Sequence, residues 1–222
     1  MAYIDFMSSL HKKTDRDYLA RVTDPDMPKA RAARLAKQWG YDYWDGDRRI
    51  NFGGYSYDGR WRSVADALIR HYGLKSGDRV LDVGCGKGFL LYDLAEAMPG
   101  LEVRGLDISA YAIEHAKNEI KETIACGSAA SLPFDNASFD LVISINTLHN
   151  LPCHELDRAI REIVRVGRTN KYVCVESYRS EEEKANLLYW QVTCEAFNSP
   201  KEWQWWFDRC GYDGDHSFIF FE

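Results

Sequence analysis

From residue 79 to residue 222 the hydrophobic pattern switches repeatedly between two periods. Short runs rich in Val, Ile, Leu and Phe occupy 80–84, 101–106, 123–126, 139–145, 172–176 and 217–221, each with the length and β-branched character of a strand. Between most of them lie stretches of helical period, at 89–98, 110–120, 155–166, 181–197 and 201–210. In 155–166, Leu156, Ile160, Ile163 and Val164 form one apolar stripe and Gly167 follows as a stop. Ser109 stands as an N-cap before the second helix. Ser180 with Glu183 and Ser199 with Glu202 have capping-box spacing, and Pro200 takes a first-turn position. Strand, helix, strand in succession means parallel strands joined by crossover helices. The expected core is therefore α/β, a doubly wound and mostly parallel sheet of six or seven strands. Its last element is short, because Asp213-Gly214-Asp215 interrupts the few residues after Cys210.

Residues 1–78 lack this alternation. Helical period over 8–22 and over 28–39, the second closed by Gly40, leads into 41–60, where Gly, Asp, Arg and aromatics follow no stable period. A further helix over 61–72 ends at Gly73. Twenty irregular residues in a compact chain mark a lid, a binding loop or disorder rather than a simple connector. The expected division is a helical and aromatic, Arg-rich cap at 1–78 and a core at 79–222.

Composition agrees with one domain and an appendage: 222 residues, 45% hydrophobic and 28% charged, with Trp 7, Tyr 13 and Phe 10 to fill a core. No apolar run approaches the ~18 residues of a membrane helix, and Asp5 interrupts the first ten residues where a signal peptide would be apolar. The expectation is a cytoplasmic protein with no membrane partner. The net charge of −6 is uneven. Residues 1–72 carry 13 Lys/Arg against 10 Asp/Glu, and the remainder 15 against 24. An acidic body argues against a duplex nucleic-acid partner, while the basic front leaves room for a pocket that takes a small anion. Cys85, Cys126, Cys153, Cys174, Cys194 and Cys210 form no C-x-x-C pair, so buried free thiols are expected instead of zinc or disulfides.

The chemistry concentrates in Arg79-Val-Leu-Asp-Val-Gly-Cys-Gly-Lys-Gly-Phe-Leu90, a buried-type strand, three alternate glycines (Gly84, Gly86, Gly88) and a helix start. Such glycines turn the backbone sharply and let a ligand approach the helix N-terminus. A dinucleotide fingerprint would need Gly or Ala where Phe89 stands. A P-loop would need glycine at Leu81 and Ser or Thr at Gly88. What remains, D-x-G-x-G-x-G, resembles the first motif of class I S-adenosylmethionine-dependent methyltransferases, and the resemblance extends over about 80–176. It implies a Rossmann-like methyltransferase core that binds S-adenosylmethionine, whose methionyl end carries an amine and a carboxylate but no phosphate. Asp82 would then oppose the cationic end, and backbone N–H groups around Gly84, Cys85 and Gly86 would receive the carboxylate. Nineteen residues beyond Gly88, Asp107 closes the second strand, where a carboxylate accepts both ribose hydroxyls, with Ile108 beside it.

Gly127-Ser-Ala-Ala-Ser-Leu-Pro-Phe134 and Phe139-Asp-Leu-Val142 look like the family's approach to strand four. Relatives commonly place an acidic residue after that glycine, but here stand Ser128 and Ala129, whose backbone and apolar packing would meet the adenine. Strand four ends in Ser144-Ile-Asn-Thr-Leu-His149. This is not the N/D-P-P-Y/F of base amino-methylating enzymes, so methylation of a nucleic-acid base amine is disfavoured; the resemblance places Asn146 at the cofactor. His149 is either the general base that takes the acceptor's proton or a cap or pocket-wall histidine. A catechol-type magnesium site would need ligands at Asn146 and Glu176, a sparse oxygen set, so no metal is expected. In the 41–60 stretch, Tyr43, Arg48, Arg49, Tyr55 and Arg60 could clamp an anionic acceptor, or pack and pair as an interface. Tyr43-Trp-Asp-Gly-Asp-Arg48 and Tyr57-Asp-Gly-Arg-Trp61 are faintly similar to small bacterial methyltransferases of surface-polysaccharide biosynthesis.

The expectation is therefore a methyltransferase, monomer or homodimer, for a small and anionic acceptor (O- or N-methylation), such as a nucleotide-linked sugar or a phosphoramidate precursor. The alternatives are an RNA- or protein-modifying methyltransferase, or a non-catalytic cofactor-binding subunit.

Overall fold

In a computed structural model, which describes residues 1–8, 10, 16–50 and 56–222, each β-rich run of the sequence is a strand. The chain begins with α1 (Tyr18–Thr23), α2 (Lys29–Ala36), the single turn α3 (Tyr41–Trp44) and α4 (Arg62–Tyr72). The alternating part follows: β1 (Arg79–Val83), α5 (Phe89–Ala97), β2 (Glu102–Asp107), α6 (Ala110–Glu114), α7 (Asn118–Lys121), β3 (Ile124–Cys126) and β4 (Phe139–Ile145). After a 3₁₀ turn at Leu148–Asn150 come α8 (Cys153–Val166), β5 (Gly167–Glu176), α9 (Glu181–Trp190), α10 (Pro200–Cys210) and β6 (Asp215–Ile219). All pairings among these strands are parallel, in the order β3-β2-β1-β4-β5-β6. The order reverses between β1 and β4, and the crevice beyond their carboxyl ends is where open α/β sheets bind ligands.

Covering by helices on both faces explains the unbroken apolar runs of the strands. Along β1 the side chains alternate between two cores. Val80 packs with Val64, Leu68, Leu91, Ile143 and Leu187, whereas Leu81 and Val83 pack with Val142, Leu156, Ile160, Trp203 and Phe207. Helix α4, which lies before residue 79, is thus part of the first core: Val64, Ala65 and Leu68 are fully buried. At the far edge Tyr3 bridges His216 in parallel, so the first residues extend the sheet past β6.

Several boundaries differ from the sequence pattern for local reasons. The helix expected over 110–120 breaks at His115 and resumes at Asn118, because Lys117 is extended and its ammonium lies 3.9 and 3.8 Å from the ring centroids of Tyr57 and Tyr92. The helix expected over 181–197 stops at Trp190. Beyond it Val192, Thr193, Cys194 and Ala196 are buried in a non-helical stretch whose Glu195 and Ala196 N–H groups donate to the His149 carbonyl. Gly40 does not close α2. Trp39 takes the left-handed turn at φ 52°, and Gly40 instead opens α3. Ser199 and Glu202 form the full capping box, whereas Ser180 caps α9 alone and Glu183 turns back to the Arg179 N–H. Cys126 and Cys153 are exposed thiols, not buried ones. Of the helix expected over 8–22, residues 9 and 11–15 lie outside the described residues, and the described helix α1 starts only at Tyr18, where the extended Asp17 caps it.

Candidate active site

The glycine run sits at the sheet's switch point, with Gly84, Gly86 and Gly88 at φ 81°, 55° and 69°. A Cβ on any of the three would collide with a neighbouring side chain, that on Gly88 standing 2.4 Å from Ile120 Cδ1. A Cβ on Gly84 would stand 2.0 Å from Thr147 Oγ1, and one on Gly86 would stand 2.6 Å from Trp44 Cη2. The loop is thus gripped from the end of β4 on one side and from the cap on the other.

Asp107 ends β2 beside this loop and is 7% exposed. Its Oδ2 accepts from the Gly86 N–H at 2.7 Å and its Oδ1 from the Ser109 N–H at 2.8 Å. The Gly84 and Cys85 N–H groups both donate to the Leu106 carbonyl, at 2.7 and 3.2 Å. These bonds correct one expectation, since the N–H groups of Gly84, Cys85 and Gly86 join β1 to the end of β2 and are not turned toward a ligand carboxylate. The Cys85 thiol likewise points inward, filling the space beside Gly105 where a Cβ would meet it at 2.6 Å.

Asp82 lies in β1 almost fully buried, and burial together with the charge of Asp107 pushes its carboxyl up to about 7. Burial raises Asp107 too, against the hydrogen bonds from Ser109 and Gly86 that favour its ionised form. Two crowded carboxylates suit a ligand that carries positive charge. Next to them Ile108 is 55% exposed, an apolar surface open to a flat ring. Ala129 is buried in the second core, and Ser128 Oγ accepts from the Ala130 N–H at 3.2 Å, so the side chain holds its own turn. Asn146, exposed, takes the left-handed conformation at φ 58° while its N–H donates to the Cys174 carbonyl.

His149 is not placed as a base. It is 2% exposed, its Nδ1 accepts from the Glu176 N–H at 3.2 Å, and its Nε2 lies 3.4 Å from Glu176 Oε2. With Nδ1 an acceptor, the neutral ring carries its proton on Nε2 and has no free lone pair. Burial lowers His149 to about 3 and raises Glu176 to about 8, so both are neutral near pH 7 and their contact is not an ion pair. The Gln191 amide also donates to Glu176 Oε1. This knot ties the ends of β4 and β5 to the stretch after α9. Among the described residues, no cluster of three or more His, Cys, Asp or Glu side chains is placed to hold a metal ion.

The expected arginine clamp is not assembled. Arg49 binds Asp47 at 2.6 Å with Asp24 at 3.6 Å, and Arg60 binds Asp58 at 2.5 Å. Each aspartate precedes its arginine by two residues and also accepts that arginine's N–H, so the turn itself sets the pairing. Arg48 is exposed, with its carbonyl accepting from Arg21. Tyr43 packs edge-on between Trp39 and Trp44, at 4.8 and 5.1 Å. Tyr55 lies outside the described residues.

What does reach the site from the cap is a set the sequence pattern did not single out. Trp44 Nε1 donates to Ser109 Oγ at 2.8 Å, and Asp45 accepts from Lys87 at 2.7 and 2.8 Å and from the Tyr111 hydroxyl at 2.9 Å. Burial raises Asp45, but the hydrogen bonds from Lys87 and Tyr111 outweigh it and hold its pKa below the ordinary value. The one signal available was Lys87, a cation inside the glycine motif. Nothing in the sequence couples it to a carboxylate 42 positions earlier.

Residues 74–211 match the family model described as a methyltransferase domain. A demethylmenaquinone methyltransferase from Roseiflexus castenholzii is 32% identical over 156 residues, 68% of this chain and 61% of that protein. The 27-O-demethylrifamycin SV methyltransferase of Amycolatopsis mediterranei is 31% identical over 147 residues, 60% of this chain and 50% of that protein. The chain thus spans only about half to three-fifths of the length of these relatives. The [4+2]-cyclase SpnF shares the fold at a TM-score of 0.59, 21% identity, and 81% and 72% coverage of the two chains. Among the described residues no helix is long and apolar enough to cross a membrane. The glycine loop, the buried carboxylates and the exposed Ile108 fit the cofactor that the family implies, and the chain belongs to the class I S-adenosylmethionine-dependent methyltransferases.

Proposed function

We propose that the chain methylates a small acceptor whose attacking oxygen is already anionic at neutral pH. The observation that supports this most is the state of His149, buried and neutral, with its Nδ1 lone pair taken by the Glu176 N–H and its proton therefore on Nε2. A neutral hydroxyl needs a base in reach, whereas a carboxylate, phenolate or phosphate-type oxygen brings its own nucleophilic lone pair. Of the acceptors suggested by the sequence, a phosphoramidate oxygen fits this reading and a sugar hydroxyl does not. Asp107 would hold the ribose and Asp82 would face the cationic methionyl end. Ile108, Ser128, Ala129 and Asn146 would wall the adenosyl side, with Gly84, Gly86 and Gly88 giving backbone clearance. The bound cofactor supplies an activated methyl on a sulfonium, so the chain's task is to align the acceptor and exclude water. The residues before α4, the part of the expected 1–78 cap that does not join the core, would cover the acceptor in the cytoplasm, with the protein a monomer or homodimer and with no duplex nucleic acid involved. Of the three arginines expected in the clamp, Arg48 is the one not paired to a neighbouring aspartate, and it would meet the acceptor.

The test is a panel of anionic and neutral oxygen acceptors assayed beside a His149→Asn variant. Turnover is expected with anionic acceptors only. The variant should lose thermal stability while its surviving folded fraction keeps kcat within about tenfold. A fall of 10²–10⁴ in kcat without loss of stability, the range of a lost general base, would restore His149 as the catalyst.

A further inference from the structure

We infer that Trp44 and Asp45 form a strap that retains S-adenosylmethionine on Asp107, so that cofactor release requires the cap to undock. The inference rests on the assignment of Asp107 as the ribose site. The two residues whose N–H groups hold the Asp107 carboxylate are Gly86 and Ser109. Trp44 spans this same pair, its six-membered ring against Gly86 and its Nε1–H on Ser109 Oγ. Ser109 is saturated by the arrangement. Its hydroxyl donates to the Trp39 carbonyl and accepts from Trp44 and from the Ala112 N–H, which caps α6. A ligand on Asp107 therefore lies under a tryptophan fastened to both banks of its own site.

The next residue locks the strap. Lys87 belongs to the glycine loop and is only 7% exposed, and its ammonium is matched by the Asp45 carboxylate of the cap. A buried ammonium that loses its counter-charge is strongly destabilised, so opening the strap requires Lys87 to reach water or another anion. Tyr111, on α6, donates to the same carboxylate. The cap thus binds both elements that form the cofactor site, the glycine loop and the turn after β2. Closing this latch and holding the cofactor become one event.

Calorimetry and stopped-flow release of bound S-adenosylmethionine from the full chain test the strap without any acceptor. Asp45→Asn, which keeps shape and removes the ion pair, and Trp44→Phe, which removes the indole donor and withdraws the ring from Gly86, should each release cofactor at least tenfold faster and raise Kd severalfold. A double-mutant cycle of Asp45→Asn with Lys87→Met should show the two effects to be non-additive, since both variants open one latch. In the wild type, hydrogen exchange at 39–45 should slow when cofactor binds. Release and Kd within twofold of wild type in both single variants, with binding abolished in Asp107→Ala, would overturn the strap and keep the site. Tighter binding in Trp44→Phe would overturn it as well. Unchanged affinity in Asp107→Ala would overturn the site assignment and the strap with it.

Discussion

Asp82, His149 and Glu176 are three buried titratable groups near the carboxyl end of one sheet, and their protonation states make opposite claims on stability. Asp82 rises from an ordinary 3.8 to about 7 in the fold, so its contribution is fully present below about pH 4 and lost as pH rises through 7. A cationic ligand reverses this by favouring the carboxylate. Cofactor binding near pH 7 should therefore release protons, detected as a buffer-dependent calorimetric enthalpy, and affinity should fall as pH drops below 7. Asp82→Asn should bind poorly yet melt higher at pH 8, by roughly 2 to 4 °C per kcal/mol recovered. No buffer dependence together with unimpaired binding in that variant would remove Asp82 from the site. His149 and Glu176 offset each other. The depressed His149 (about 3 against 6.5) adds stability that is lost as pH falls below 6.5. The raised Glu176 (about 8 against 4.5) adds stability that is lost as pH rises above 4.5. Between 4.5 and 6.5 their slopes cancel. Glu176→Gln should expose the histidine alone, and the unfolding free energy from urea titrations should then climb across that interval by up to about 1.4 kcal/mol per pH unit. A pH-independent variant would contradict the buried neutral imidazole.

At the scale of elements, the glycine loop is defined as much by its neighbours as by its own sequence. Gly84 combines φ 81° with a Thr147 hydroxyl 2.0 Å from where a Cβ would be, so strain and collision act together in Gly84→Ala. The variant should lose cofactor binding and stability on the order of 1 to 3 kcal/mol. Adding Thr147→Ala, which removes Oγ1 and Cγ2 but leaves the Thr147 Cβ 2.6 Å from the new methyl, should recover only part of the loss, and full recovery would show that neither φ nor the remaining contact bears strain. Elements whose order follows from local pattern were legible in the sequence: the six strands, the Ser109 cap, the Ser199–Glu202 box and the helix end at Gly73. Those decided by partners distant in sequence were not. Nothing near Lys117 announces that two tyrosines will break its helix, and nothing after Trp190 announces that Gln191, Glu195 and Ala196 will bond Glu176 and His149. The candidate site divides in the same way. Its carboxylates and glycines are carried by one contiguous motif and one strand end, whereas Trp44, Asp45 and the neutral state of His149 follow only from packing.

For the whole molecule, the placement of α4 decides what counts as a folding unit. The sequence pattern places a boundary near residue 78 and the family match starts at 74, yet Val64, Ala65 and Leu68 of α4 are wholly buried against β1 and α5, with Trp61 and Ile69 packed beside them. Burying two side chains the size of Val and Leu contributes about 3 to 6 kcal/mol, which is comparable with the whole net stability of a domain. A fragment of residues 79–222 would leave Val80, Leu91 and Leu94 uncovered along that face. It should be aggregation-prone and lack a cooperative melt. A fragment of residues 61–222 restores α4 and loses the cap, the Tyr3 bridge to β6 and the Met7 contact with the first core. It should unfold cooperatively at a lower temperature, with cofactor affinity reduced because Trp44 and Asp45 are gone. The comparison separates two roles of the front of the chain: α4 completes the fold, and the residues before it serve the site. Cooperative folding of 79–222 would place α4 with the cap, and failure of 61–222 to fold would make the cap itself part of the core.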